Sequence, residues 1–371
     1  MFNKMYEKGM EFGIEVEVAF QAQGEAKRSW RNEDSNMRFP HYVSTGLGMR
    51  HRKLQEIFSY RTLNVDIIKG VASGRFDWVM MSPFMSISNC IASLVPAGKI
   101  KRLLWSESNV VSSRYQGWLI QKVRRFFSKR YEAFVCPGQR AVEYIHRYDQ
   151  EATKKTVISL PNIVDSSLFI DKVNEYREKR DLARSELGVE NDKLIILCVG
   201  RLVPIKGFAL LIEAVAKVDG DYQVVILGEG PSRKIWQTRI GELGLTQKVI
   251  LRGQVAEEGI VRYLALADWF IHPAYNDASP LVTIEAITAG LPLAISVQSG
   301  NSPEVVDEDI NGFTFDPCKP AEMIGCLHRI ITTGFERRRE MGAASARLAK
   351  ERFDPDMIIG RYFRALLDLP I

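Results

Sequence analysis

A chain of 371 residues exceeds the ~250–300 residues that a single hydrophobic core usually serves, so two domains are expected. With 46% hydrophobic and 26% charged residues and a formal charge of +5, the chain lies outside the disordered and collagen-like classes, and its charge is too mild to imply a nucleic-acid partner. Five cysteines without CxxC or CxxH spacing imply neither a zinc site nor a disulfide framework, and no run of ~20 apolar residues or secretory leader is visible, so a cytoplasmic protein is expected.

Short β-branched and aromatic runs alternate with amphipathic stretches of helical length, the pattern of parallel α/β layers. Met1 to Gly13 reads as a helix. Strands are expected at Ile14 to Phe20, Phe76 to Met81, Arg102 to Trp105, Ala133 to Cys136 and Val157 to Leu160. A boundary falls between Pro161 and Asp192, where a charged stretch leads into the apolar run Leu194 to Val199. Further strands are expected at Gln223 to Leu227, Val249 to Arg252, Trp269 to His272 and Pro292 to Ile295, followed by helices around Ala321 to Ile331, Phe335 to Glu351 and Asp354 to Leu367. The fold class is therefore α/β, with two doubly wound parallel sheets facing across a cleft. The expected domains are 1–165 and 166–353, with a C-terminal helix over 354–371 crossing back to the first. In such sheets ligands bind beyond the C-terminal strand ends, which directs attention to two loops.

The first is Gly200-Arg201-Leu202-Val203-Pro204-Ile205-Lys206-Gly207. Arg201 and Lys206 bring two cations to the end of a buried strand, a pair suited to a diphosphate. An ordinary turn with solvated charges is the competing reading, and the glycine spacing fits neither a Walker loop nor GxGxxG. The second is Asn276 to Pro292. Ser279 reads as an N-cap and Pro280 as the first helical residue, so the amides of Leu281 and Val282 could receive an anion at the positive end of the helix dipole. Asp277 precedes that helix and Glu285 falls within it among apolar neighbours. Glu285 is either a surface acid or a buried carboxylate that needs a partner such as a ribose diol.

Together, Gly200-Arg201-Leu202 with Lys206-Gly207, Gly228-Glu229-Gly230-Pro231, Gly253, Asp277 to Glu285 with Gly290-Leu291-Pro292, and Gly300 to Glu304 before Asn311-Gly312-Phe313 resemble glycosyltransferase family 4, from about Pro161 to Phe315. The resemblance implies a GT-B fold of two Rossmann-like domains, a retaining transfer from a UDP- or GDP-linked nucleotide sugar, and no metal or other cofactor. It implies catalytic roles for Arg201, Lys206 and Asp277, with the two cations neutralising the departing diphosphate. It implies donor binding by Gly200, Glu285, Leu281, Val282, Ser279, Gly228, Arg252 and Gly253. Asp277 takes the place of the first acid of the family's two-glutamate motif and is one methylene shorter. Pro280 stands where many members have glycine, which removes a backbone donor.

The first half carries weaker signals. Relatives often have a functional histidine after the strand ending at Trp105, where this chain has Glu107 and Asn109 as acceptor-side candidates. The family opens with a strand and a glycine loop, whereas Met1 to Gly13 reads as the helix that follows them, so either the given sequence starts late or this domain is built differently. His41, His51, His146, His272 and His328 lack ligand-like spacing and read as structural. Nine Lys or Arg and one acid, Glu107, lie between Lys99 and Arg130. Within Arg114 to Arg130, a stripe of Trp118, Leu119, Val123, Phe126 and Phe127 is bordered by Arg114, Lys122, Arg124, Arg125, Lys129 and Arg130. That pattern suits an anionic membrane surface, with core packing as the alternative. The expected activity is transfer to a saccharide or lipid-linked acceptor in surface polysaccharide biosynthesis, at the inner face of the membrane. The competing class is a non-catalytic sugar-nucleotide-binding protein or truncated inactive homologue, and a dinucleotide oxidoreductase is disfavoured because no strand leads into GxGxxG.

Overall fold

The computed structural model describes residues 1–21, 37–44, 46–48, 62–96, 98–109, 117–148 and 150–369. These form two compact units, Met1–Pro161 with Asp356–Ile371, and Asn162–Pro355. Among the described residues, no helix is long and apolar enough to cross a membrane.

In the first unit a helix at Phe2–Glu11 precedes β1 (Val18–Phe20), which pairs in parallel with β2 (His41–Val43). β3 (Leu47–Gly48) and β4 (Thr62–Leu63) form a short antiparallel pair. β5 (Trp78–Met81), β6 (Lys101–Trp105), β7 (Ala133–Cys136) and β8 (Thr156–Ser159) then form a four-stranded parallel sheet in sequence order. The run Ile14 to Phe20 was expected in that same sheet. Only Val18–Phe20 is strand, and among the described residues it pairs with β2 alone. The alternation of half-buried and exposed residues from Ile14 to Phe20 suits burial on one face, not the two-sided burial of a central parallel strand. β7 has that two-sided burial, with all four residues enclosed. The helix Pro355–Leu367 packs in this unit, where Phe363 meets the Phe12 ring at 5.6 Å and Lys4 pairs with Asp356 at 3.1 Å.

The second unit has six parallel strands: β9 (Leu194–Val199), β10 (Tyr222–Leu227), β11 (Val249–Gly253), β12 (Trp269–His272), β13 (Leu293–Ser296) and β14 (Gly312–Phe315). Their order is β11-β10-β9-β12-β13-β14. The first three run outward from β9 in one direction and the last three in the other, the dinucleotide-fold order. β14 had not been expected as a strand, because its four residues follow Asn311 and open on glycine, both turn signals. Every residue of β10, β12 and β13 is buried. At the N-terminal side of β9 a buried cation ties the layers together. Arg184, 1% exposed, donates to the carbonyls of Leu266 (2.8 Å) and Lys193 (3.1 Å) and pairs with Asp268 at 2.8 Å. Asp268 also accepts the Ile195 amide at 2.8 Å, which fixes the start of β9.

Candidate functional site

β9 and β12 are neighbours at the switch point of the second sheet, where the chain turns to opposite sides and a crevice opens at the C-terminal strand ends. Two close backbone contacts shape it. Gly207, with φ 71°, packs so near Pro273 that a Cβ would fall 1.9 Å from the Pro273 oxygen, and the Tyr275 amide donates to Ile205 O at 2.9 Å. Gly228, with φ 141°, leaves no room either, since a Cβ would lie 1.9 Å from Gly200 O. Its amide donates to Gly253 O at 2.7 Å, so Gly200, Gly228 and Gly253 bring three loops into contact.

This packing seats Lys206, which ends the 3-10 turn Pro204–Lys206, against Asp277. Lys206 Nζ pairs with Asp277 Oδ2, each side chain being 18% exposed. His272 Nε2 lies 2.9 Å from the same oxygen, and the Asp277 carbonyl accepts the Gly300 amide at 2.7 Å. Burial works to raise the Asp277 carboxyl, but the contact with His272 and the Lys206 charge outweigh it and hold the group well below the usual carboxylate range. Arg201 is exposed, and its side chain makes no hydrogen bond or ion pair with a described residue.

The helix after β12 spans Leu281–Thr288 with Pro280, not Ser279, at the N-cap. Sequence had placed the start one residue earlier. Pro280 is extended (φ −66°, ψ 116°), and the Ser279 hydroxyl and carbonyl instead face Asn162 Nδ2 at 3.3 and 3.1 Å. Asn301 Nδ2 donates to the Pro280 carbonyl at 3.1 Å and to Thr283 Oγ1 at 2.9 Å, anchoring the helix start. The first-turn amides, those of Leu281 and Val282 among them, have no intrahelical acceptor and point toward the helix entrance. Glu285 stands half-buried in mid-helix, where burial and then the Glu257 charge push its pKa up to about 7. Among the described residues nothing hydrogen-bonds or ion-pairs with its carboxylate.

The other named residues fall as follows. Arg252 donates to Gly188 O at 2.7 Å, which turns it toward the loop before β9. In the first unit, on the segment after β6, Glu107 is exposed and Asn109 buried. Arg114 lies outside the described residues. The helix Trp118–Ser128 divides the expected stripe: Val123 and Phe127 are half-buried, whereas Trp118 (69%), Leu119 (55%) and Phe126 (51%) are exposed. Arg124 does not border that outward face. It is buried, with its guanidinium 5.6 Å from the Tyr144 ring centre. Sequence reasoning missed Asn162 and the contact made by His272. The available signal for the latter was a histidine ending a buried strand five residues before Asp277.

The loop after β9 thus carries two cations, and the helix after the neighbouring β12 carries open first-turn amides and an unsatisfied carboxylate, groups that can take an anion and a diol. Residues 179–347 match the model of the family described as glycosyl transferases group 1. An uncharacterized glycosyltransferase of Methanocaldococcus jannaschii is 26% identical over 211 residues, 52% of this chain and 54% of that protein. The chain spans about half the length of the curated relatives it matches. HepE of Anabaena, solved in complex with UDP, aligns with a TM-score of 0.70 at 20% identity over 89% of this chain and 87% of its own. WaaG, a glycosyltransferase involved in lipopolysaccharide biosynthesis, aligns with a TM-score of 0.70 at 16% identity over 99% of this chain and 95% of its own. The fold is thus GT-B, and residues 179–347 carry the match to the glycosyl transferases group 1 family.

Proposed function

We propose that this chain is a retaining glycosyltransferase that transfers a sugar from a UDP- or GDP-linked donor to a saccharide or lipid-linked acceptor in surface polysaccharide assembly. What supports the reading is that Arg201 and Lys206 follow β9, while the amides of Leu281 and Val282 and the unpaired carboxylate of Glu285 belong to the helix after β12, the neighbouring strand. Arg201 and Lys206 neutralise the diphosphate, most of all as it departs. Glu285 accepts hydrogen bonds from the ribose diol, and Asp277 stands beside the transferred sugar. In the reaction the anomeric C–O bond breaks with its electron pair going to the diphosphate, while the acceptor oxygen bonds to the same face of that carbon. The acceptor proton passes to a diphosphate oxygen. The family match, the GT-B fold and the UDP complex of HepE support this reading. Its test is incubation of purified protein with UDP- and GDP-sugars and oligosaccharide acceptors, followed by NMR. An α-linked product from an α-linked donor is expected; nucleotide binding without any product would favour the non-catalytic binder.

The outward face of the helix Trp118–Ser128 supports a membrane-borne acceptor. Trp118, Leu119 and Phe126 stand out beside the exposed Lys122, Arg125 and Lys129, with Lys122 4.7 Å from the Trp118 ring centre. Aromatic anchors among cations suit an anionic lipid interface. Charge reversal at Lys122 and Arg125 should abolish sedimentation with phosphatidylglycerol vesicles; unchanged sedimentation would exclude this face.

A further inference from the structure

Lys206 and His272 meet the same carboxylate oxygen but are held very differently. Lys206 is a long, partly exposed side chain on a turn, free to swing once a stronger anion arrives. His272 is 2% exposed at the end of β12, with its ring nearly parallel to that of Phe270 (10°, centroids 6.5 Å apart). Its Nδ1 is buried and has no hydrogen-bond partner among the described residues. A proton there would be an unsatisfied buried donor, so the favoured tautomer carries it on Nε2 and donates to Asp277.

We infer that His272 is a positioning residue that keeps Asp277 in place while Lys206 changes partners. This rests on the nucleotide-sugar reading of the site. In the ligand-free protein Lys206 pairs with Asp277. A bound diphosphate, with more negative charge than one carboxylate, draws Lys206 across. Asp277 then retains the Nε2–H of His272, which keeps it ionised and directed at the sugar. The fixed imidazole therefore makes the exchange possible without letting the acid drift. Because Asp277 is one methylene shorter than glutamate, its placement depends more heavily on this second contact.

The test compares His272→Phe, which keeps ring volume and the stack on Phe270, with His272→Gln, whose amide can replace the Nε2–H donor. Donor turnover by His272→Phe should lose about tenfold in kcat with KM changed by less than about threefold, as expected for a lost hydrogen bond to a charged group, and His272→Gln should recover most of the loss. In an Asp277→Asn background the His272→Phe effect should shrink to less than about twofold, the coupling expected of residues acting as a unit. Independently of turnover, 15N spectra of the folded, ligand-free protein should show His272 protonated on Nε2. Wild-type turnover with His272→Phe inside about twofold, or equal losses in both backgrounds, would overturn the inference alone. Failure of the folded wild type to bind any nucleoside diphosphate would overturn the site reading and the inference with it.

Discussion

Replacing Glu285 with Gln should stabilise the ligand-free protein above neutral pH while weakening its hold on a nucleotide. The carboxyl is half-buried, and burial, followed by the Glu257 charge, lifts its pKa from 4.5 to about 7. An acid with a raised native pKa binds its proton more tightly folded than unfolded. The stability it contributes is therefore intact below about 4.5, is lost as pH rises, and is fully lost above about 7. That rise corresponds to about 3 kcal/mol at most. Gln keeps the shape without the charge and escapes that loss. At roughly 2–4 °C per kcal/mol for a unit of this size, the variant should melt up to about 6–12 °C above wild type at pH 8 and level with it near pH 4.5. Scanning calorimetry of both proteins from pH 4.5 to 8.5 reads the difference directly. A gap that does not change with pH, or a variant less stable at pH 8, would refute the picture of a buried carboxylate awaiting a partner. The ribose diol is the proposed partner, so nucleotide binding between pH 5 and pH 7 should release more protons in the wild type than in Glu285→Gln, where only the phosphate ionisation contributes; calorimetric titration in buffers of different ionisation enthalpy measures this.

Arg184→Met should be destabilising, by about 1–3 kcal/mol in urea melts, because the buried carbonyls of Leu266 and Lys193 lose their donor, while Asp268 keeps Arg180 at 3.0 Å. Gly228→Ala should cost more than about 1 kcal/mol and also weaken nucleotide binding, since its Cβ would collide with Gly200 O and push apart the loops that seat Lys206. Thermal melts and nucleotide titrations of the one variant check both effects, and a neutral result in both would show that the loops tolerate separation.

The parts of the molecule legible in sequence were those with a one-dimensional signature. β7, β9 and β12 match their expected limits because strands enclosed on both faces read as continuous apolar runs. The loop with Arg201 and Lys206 and the helix with Glu285 were legible as elements because each comes after such a strand at the carboxyl edge. β2 and β14 were not, being three and four residues long and closely preceded by proline or glycine signals. The start of the helix at Leu281 was displaced because the competing partner of Ser279, Asn162, is distant in sequence. The inward turn of Arg124 could not be read from helical periodicity, which defines faces without saying which one meets the core. His272 escaped for a related reason: its partner oxygen belongs to a carboxylate whose position is set by two other loops.

Arg201, Lys206 and Glu285 are proposed to hold a nucleoside diphosphate at the carboxyl ends of β9 and β12. Isothermal titration of the folded protein with UDP, GDP and the corresponding nucleosides tests it most directly. Saturable binding of at least one diphosphate is expected, weakened about tenfold or more by Lys206→Met, with the weak affinity for the bare nucleoside almost unchanged. Absence of binding by either diphosphate at millimolar concentration, or equal affinity of wild type and Lys206→Met, would contradict it.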